Sequence, residues 1–341
     1  MEYRNLGKTK LNVSVIGFGG IPIQRVTIEE VIALFKLAKE KGINFIDTAR
    51  GYTNSEEKIG LAIKAVENDW IIASKSMARE RESFINELNT SLDNLGVECI
   101  DLYQFHNIGS EDDYEKIMSK NGAYKAAIEA KKNGKIRYIG MSTHKPKSAM
   151  KAYKSGKFVS IQVPFNAVED QFLPAINLAH DKNIGVIVMK PLAGGAITDA
   201  SSALKYILDY PITVVIPGMR KREEIKENAL VGNRARFFSE KEKEELKSFA
   251  NKLGNKFCRR CEYCLPCPEG VKIPFNFILH GYLTRYNLKE WAIKRYFSQE
   301  VNASACIECG VCETRCPYDL PIREMLKEVN EDFASHKKME E

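Results

Sequence analysis

The chain has 341 residues, with 51 Lys and Arg against 45 Asp and Glu. At roughly 150 residues per domain this length suggests two domains, and 44% hydrophobic residues exclude a disordered chain. The net charge of +6 is small and spread along the chain, which argues against nucleic acid as a partner.

No apolar run reaches the ~18 residues needed to span a bilayer, so no membrane association is expected. Met1-Glu2-Tyr3-Arg4 leads straight into a turn at Leu6-Gly7 without an apolar signal core, which points to a cytoplasmic protein.

In chain order, short β-branched runs alternate with amphipathic stretches. Val15-Ile16-Gly17 reads as the first strand, and Ile28 to Lys41 as a helix with Ile28, Val31, Ile32, Phe35 and Ala38 on one face. Gly42 is placed to stop that helix. Strands follow at 44–47, 71–74, 101–105, 138–141, 160–163, 186–189 and 213–216. Helical patterns fit 55–66, 81–95, 122–133, 147–155, 173–182, 201–209 and 222–230. Several strands are almost wholly apolar, as parallel strands covered on both faces should be. Eight strands each followed by a helix predict an α/β fold, a (β/α)8 TIM barrel of about 250 residues. An open doubly wound sheet is the competing arrangement, but no GxGxxG is present: Gly17-Phe18-Gly19-Gly20 is only a short glycine turn.

After Gly254 the strand pattern stops. A cysteine cluster, a helical stretch from Phe275 to Phe297 with Asn287 as its weak point, a second cysteine cluster and a final helix from about Pro321 follow. The expected division is a barrel over 1–250 and a small helical domain over 251–341, the latter too loop-rich to be held by an apolar core alone. Charged residues from His336 to Glu341 read as a frayed end.

Eight of the nine cysteines lie in two runs. The second is Cys306-x2-Cys309-x2-Cys312-x3-Cys316-Pro317, the ferredoxin spacing for a [4Fe-4S] cluster. The first, Cys258-x2-Cys261-x2-Cys264-x2-Cys267-Pro268, is one residue shorter before its last cysteine. Two-residue gaps let thiolates converge from a tight loop, and Gly310 permits the sharp turn. Structural zinc also uses cysteine pairs, but the third cysteine of each run and the Cys-Pro ending favour iron–sulfur. In two-cluster ferredoxins the fourth cysteine of a run ligates the other cluster. Two [4Fe-4S] clusters are therefore expected, with Cys267 and Cys316 open to exchange between them. Cys99, outside both runs, reads as a buried apolar filler.

Four polar residues fall at the ends of consecutive strands or just beyond: Asp47, Tyr52, Lys75 and His106. In a barrel those ends meet at one face, where catalytic groups gather. Singly each has an ordinary structural reading; together they form a set with a purpose. A phenol can give a proton to a carbonyl oxygen while a hydride attacks the carbon. At its usual pKa of about 10 it is a weak donor at neutral pH. An adjacent ammonium lowers that pKa. Lys75 held by Asp47 would supply the ammonium, and a neutral His106 would orient the substrate carbonyl.

These stretches resemble the aldo-keto reductase family over residues 1 to about 235. Tyr3-Arg4-x-Leu6-Gly7, Gly17-Phe18-Gly19-Gly20 and Asn44-Phe45-Ile46-Asp47-Thr48-Ala49-x-Gly51-Tyr52 carry the likeness. The resemblance implies a nicotinamide-dependent carbonyl reductase with Asp47, Tyr52, Lys75 and His106 as its tetrad and Tyr52 as general acid. It further implies that Ser142 and Gln162 hold the nicotinamide carboxamide, with Thr143 where an Asn is usual. Met189, ahead of Pro191 and Leu192, stands where a stacking aromatic is common. Gly218, Met219, Arg220, Glu227 and Asn228 match the phosphate and adenine region at a helix start. Glu224 replaces the Arg of NADP-preferring members, although Arg220, Lys221 and Arg222 lie close by, so NADP or NAD is left open. Phe18, Gly20, Ile21, Tyr52, Ile108 and Phe165 are candidates for the pocket wall.

From Phe257 onward the chain resembles the ferredoxin-type domain fused to one subgroup of that family. A small carbonyl or alcohol is the expected substrate. Structural, redox-sensing and electron-transferring roles stay open for the clusters, the last with a redox partner protein. The alternative is a non-catalytic iron–sulfur carrier with a vestigial barrel.

Overall fold

The computed structural model describes residues 1–233, 237–260, 262–286, 288–316 and 318–337. It divides into two compact units: residues 1–191 with 199–240, and residues 192–198 with 241–341.

In the first unit eight parallel strands follow one another in chain order around a single sheet. They are β3 (Phe18–Gly19), β4 (Phe45–Asp47), β5 (Ile71–Ser76), β6 (Ile100–Phe105), β7 (Ile136–Ser142), β8 (Ser160–Pro164), β9 (Gly185–Met189) and β10 (Val214–Val215). The ring closes where Ile16 bridges Val215 and Gly19 bridges Gly218, both in parallel. A Cβ at residue 19 would lie 2.7 Å from the Pro217 carbonyl, so the seam requires glycine there. The chain thus forms the expected TIM barrel. Regular pairing of its first strand begins at Phe18, later than Val15-Ile16-Gly17, which meets the seam through the isolated Ile16 bridge, made by Val215 N–H to Val15 O and Gly17 N–H to Val215 O.

The barrel helices are α1 (Ile28–Glu40), α2 (Ser55–Ala65), α3 (Arg81–Leu95), α4 (Glu111–Met118), α5 (Ala123–Lys132), α6 (Pro146–Ser155), α7 (Leu173–Asp181), α8 (Ala200–Leu208) and α9 (Arg222–Val231). Thr27 and Glu30 start α1 with a reciprocal capping box, and Gly42, at φ 78°, follows its end. No sequence period marks α4, because in Glu-Asp-Asp-Tyr-Glu-Lys-Ile-Met only Tyr114 and Ile117 are buried.

A hairpin precedes the barrel, β1 (Tyr3–Asn5) with β2 (Asn12–Ser14), whose strands are too short to show alternation in the sequence. Leu6, Leu11 and Val13 of this hairpin pack with Phe45, Ala73, Leu102, Ile187 and Val214 of the barrel strands. Arg4 Nη1 donates to Ile212 O just before β10 (2.6 Å). The hairpin therefore plugs the N-terminal end of the barrel, and the strand C-termini are left to form a site.

The second unit contains most of α10 (Glu240–Gly254), then α11 (Ile273–Thr284), α12 (Lys289–Phe297), the short α13 (Val311–Thr314) and α14 (Ile322–Lys337). The single helix expected over 275–297 is two, ending at Thr284 and resuming at Lys289; Asn287 lies outside the described residues. Leu279, Leu283, Ala292, Leu326 and Val329 form the core of this unit. Tyr296 stacks on Phe333 with ring centroids 4.0 Å apart. His280 Nε2 and Asp332 Oδ2, 2.6 Å apart, join α11 to α14. Among the described residues no helix is long and apolar enough to cross a membrane.

Candidate functional site

Asp47 ends β4, Lys75 sits near the end of β5, and His106 follows β6. β4 pairs with β5, and β5 with β6, so the three side chains belong to adjacent barrel strands. Lys75 Nζ lies 2.8 Å from Asp47 Oδ1, with side chains 1% and 4% exposed. It also donates to Thr48 O at 2.6 Å. Burial pushes the Lys75 pKa below the ordinary lysine value; the Asp47 charge and hydrogen bond, and the charge of Glu56, oppose that fall. Burial likewise raises Asp47, and Lys75 opposes it.

Tyr52 follows β4 by a loop pinned to β5 through Arg50 N–H to Lys75 O (2.9 Å). Its ring centroid is 5.2 Å from Lys75 Nζ. The Tyr52 and His106 rings meet edge to face at 5.9 Å. Burial, with Lys75 and Arg79 adding to it, pulls the His106 pKa down to about 3. The imidazole is therefore neutral at physiological pH. Its Nδ1 and Asp47 Oδ2 are buried without a hydrogen-bond partner. Buried polar atoms normally have one, which suits a polar ligand at this mouth.

Arg79 is a further site residue without a sequence signal, because a lone arginine in a loop carries no pattern. It donates to the carbonyls of His106 (3.0 Å) and Asn107 (2.9 Å) and so fixes the loop after β6.

Ser142 and Gln162 are buried and paired in register between β7 and β8. Ser142 Oγ accepts Asn107 N–H (2.8 Å). Gln162 Oε1 accepts from Gln104 Nε2 (2.8 Å), while Gln162 Nε2 donates to Asp47 Oδ1 (3.5 Å). Thr143 is turned inward and donates to Ile108 O (2.8 Å). Met189 ends β9 half-buried, and Pro191 closes that stretch of the first unit; Leu192 belongs to the second unit. Gly218 and Met219 follow β10, with Gly218 on the barrel seam. Arg220 stands just before α9, and Glu227 (exposed) and Asn228 (buried) lie within it. Glu224 turns back to accept the N–H groups of Arg220 (2.7 Å) and Lys221 (3.0 Å). Of the expected pocket wall, Phe18, Ile108 and Phe165 are instead packed in the apolar core, at most 1% exposed. Their size and apolarity let them fill the space between the barrel strands and helices.

In the second unit none of the described cysteines forms a disulfide. Cys261 and Pro317 lie outside the described residues. Cys264 and Cys312 are buried, Cys309 is exposed, and Cys258, Cys267, Cys306 and Cys316 are half-buried. Cys258 and Cys264 of the first run share one cavity with Cys316 of the second. Arg260 N–H points to Cys258 Sγ at 3.4 Å. Gly310 makes the expected turn at φ 76°. Among the described residues no three His, Cys, Asp or Glu side chains converge tightly enough for a single ion. Cys99, expected to be buried, is half-buried at the start of β6, where its thiol points to Ile100 O at 3.8 Å.

Residues 15–202 match the aldo/keto reductase family model, and residues 257–321 match that of a 4Fe-4S dicluster domain. The chain belongs to the aldo/keto reductase family and is an oxidoreductase of that family carrying a 4Fe-4S dicluster domain. It is 27% identical to an uncharacterized oxidoreductase of Bacillus subtilis, YqkF, over 73% of this chain and 96% of that one. It is 30% identical to L-galactose dehydrogenase of Arabidopsis thaliana over 58% of this chain and 68% of that protein. Aldo-keto reductase AKR11C1 of Bacillus halodurans shares the fold with a TM-score of 0.62 at 24% identity, covering 74% of this chain and 96% of that one.

Proposed function

We propose that this protein reduces an aldehyde or ketone with NADPH or NADH, Tyr52 being the general acid. The observation that carries the reading is the buried Lys75–Asp47 pair beside the Tyr52 ring, with a neutral His106 at its edge. An ammonium near a phenol favours the phenolate, so Tyr52 gives up its proton more readily than a free tyrosine. Neutral His106 donates one ring N–H to the substrate carbonyl and turns it toward the phenol. The hydride is what the nicotinamide supplies when bound. Ser142 and Gln162 are proposed to hold its carboxamide: Ser142 keeps its hydroxyl proton to donate, and Gln162 is oriented by Gln104. Met189 and Pro191 are proposed to line the ring. Gly218, Met219, Arg220, Glu227 and Asn228 are proposed to take the phosphates and adenosine.

The division is proposed as 1–250 for the reductase and 251–341 for the iron–sulfur part, with two [4Fe-4S] clusters. The shared cavity supports Cys258, Cys264 and Cys316 in one ligand set, to which the spacing of the first run adds Cys261. Cys306, Cys309, Cys312 and Cys267 make the other. Hydride transfer moves two electrons together and a [4Fe-4S] cluster moves one, so the clusters are assigned a structural or regulatory role outside the hydride step. A cytoplasmic setting suits thiolate-held iron, which a reducing compartment preserves. Nicotinamide oxidation followed by absorbance across a panel of aldehydes and ketones tests the reading. Turnover abolished in Tyr52→Phe supports it; no turnover with any carbonyl, and no nicotinamide binding, overturns it.

A further inference from the structure

Glu56 is an acidic residue of α2 buried to 1% exposure, and nothing in the proposed chemistry uses it. It makes an ion pair with Arg50, which lies in the loop between Asp47 and Tyr52 and is 24% exposed. Its other oxygen accepts from Ser74 Oγ at 2.6 Å, and Ser74 immediately precedes Lys75 in β5. Asn94 of α3 approaches the Arg50-paired oxygen at 3.4 Å. One carboxylate therefore ties the Tyr52 loop to the strand that carries Lys75. The loop is also held by Thr48 N–H to Ala73 O, Arg50 N–H to Lys75 O, Tyr52 N–H to Ala49 O, Ser55 N–H to Tyr52 O, Thr53 Oγ1 to Gln24 Oε1, and the Thr48 Oγ1, Ser55 Oγ, Gly20 O chain; Glu56 adds the side-chain link from Arg50 to the residue before Lys75.

We infer that Glu56 is a positioning residue, which through Arg50 and Ser74 holds the Tyr52 phenol against the Lys75 ammonium. The inference rests on the reductase reading for its meaning, but its geometry is testable without cofactor or substrate. The pair resists displacement because moving Arg50 away strands the buried Glu56 carboxylate without its cation. A phenol drifting from the ammonium loses the field that makes it acidic, so its pKa climbs back toward the ordinary tyrosine value.

The charges that bear on the outcome come from several elements. Lys75 is faced by Asp47 from β4, Tyr52 from the loop, Glu56 from α2 and His106 from the end of β6. Arg79 stands behind His106. Arg50, Glu56 and Glu87 all act on the Tyr103 hydroxyl of β6.

The test compares Glu56→Gln with Arg50→Met, which cuts the same link from its more exposed end and serves if the first variant folds poorly. The Tyr52 titration is read by NMR of the full chain labelled with 13Cζ-tyrosine and assigned with Tyr52→Phe. Loss of an anion would by itself lower the phenol pKa, and loss of a cation would raise it. The expected result is an upward move of about half a pH unit or more in both variants. In turnover, kcat falls on the order of tenfold to a hundredfold while cofactor affinity stays within about twofold, and the double variant is no worse than the poorer single one. A Tyr52 titration unmoved in either variant, or moved in opposite directions by the two, overturns the inference. If the wild type turns over no carbonyl, the reductase reading fails, while the titration still decides the role of Glu56.

Discussion

Replacing Lys75 by Met removes one half of a buried ion pair. The wild-type ammonium is 1% exposed and makes contacts of 2.8 Å to Asp47 Oδ1 and 2.6 Å to Thr48 O. Without it the Asp47 carboxylate keeps only the long contact from Gln162 Nε2 at 3.5 Å. Breaking a buried pair from one side costs about 3–5 kcal/mol. The stranded carboxyl escapes by taking up a proton, so its pKa, already raised by burial, rises further. A carboxyl whose folded pKa exceeds its unfolded value of about 3.9 contributes stability that is full below that value. That stability is lost as pH rises through the folded pKa. The deficit of Lys75→Met relative to wild type should therefore be largest near pH 8 and shrink toward pH 5. Adding Asp47→Asn removes the stranded charge, so the double variant should recover about 2 kcal/mol or more of the loss at pH 8. Denaturant unfolding of the two variants and the wild type at both pH values measures this. A loss under about 1 kcal/mol, or one that neither pH nor Asp47→Asn alters, would refute the reasoning.

His106 gives a pH dependence of its own. With a folded pKa of about 3 against about 6.5 unfolded, it stays neutral in the fold while the unfolded chain takes up a proton. Stability is lost as pH falls from about 6.5 toward 3, by roughly 3 kcal/mol at pH 4.5, and His106→Phe should lack this part of the slope in denaturant melts. Cys309→Ser with Cys312→Ser should lower the iron content to about half, one of two clusters, and leave carbonyl reduction within about threefold. Iron analysis beside the nicotinamide assay checks both, and a collapse of turnover in a folded protein would bring the clusters into the hydride step. Gly19→Ala should destabilise the barrel by about 1–3 kcal/mol, since its new Cβ meets the Pro217 carbonyl at 2.7 Å across the closing seam. Thermal melts read the effect.

The barrel was legible because apolar runs such as Val186-Ile187-Val188 lie between helical patterns with a clear buried face, as in Ile28 to Glu40. The hairpin at Tyr3–Asn5 and Asn12–Ser14 was not, because its stabilising contacts are non-local and its strands are three residues long. The tetrad residues could be picked out from their places at strand ends, and their approach in space follows from the pairing of β4, β5 and β6. Glu56 could not be picked out: in Ser55-Glu56-Glu57 it looks like any acidic first turn of a solvated helix. Its burial depends on Ser74 and Arg50 arriving from other elements. For the same reason the sequence could not say that Phe18, Ile108 and Phe165 would fill core instead of lining a pocket.

The most direct check of the central claim follows the hydride and the proton together. Wild type and Tyr52→Phe are given nicotinamide cofactor deuterated at the reactive C4 position, with an aldehyde that supports turnover. The account predicts deuterium on the carbinol carbon of the alcohol made by the wild type, and a rate lower by roughly a hundredfold to ten-thousandfold in Tyr52→Phe with cofactor affinity retained. Undiminished deuterium transfer by Tyr52→Phe, or cofactor oxidation that leaves no deuterium in the product, would contradict it.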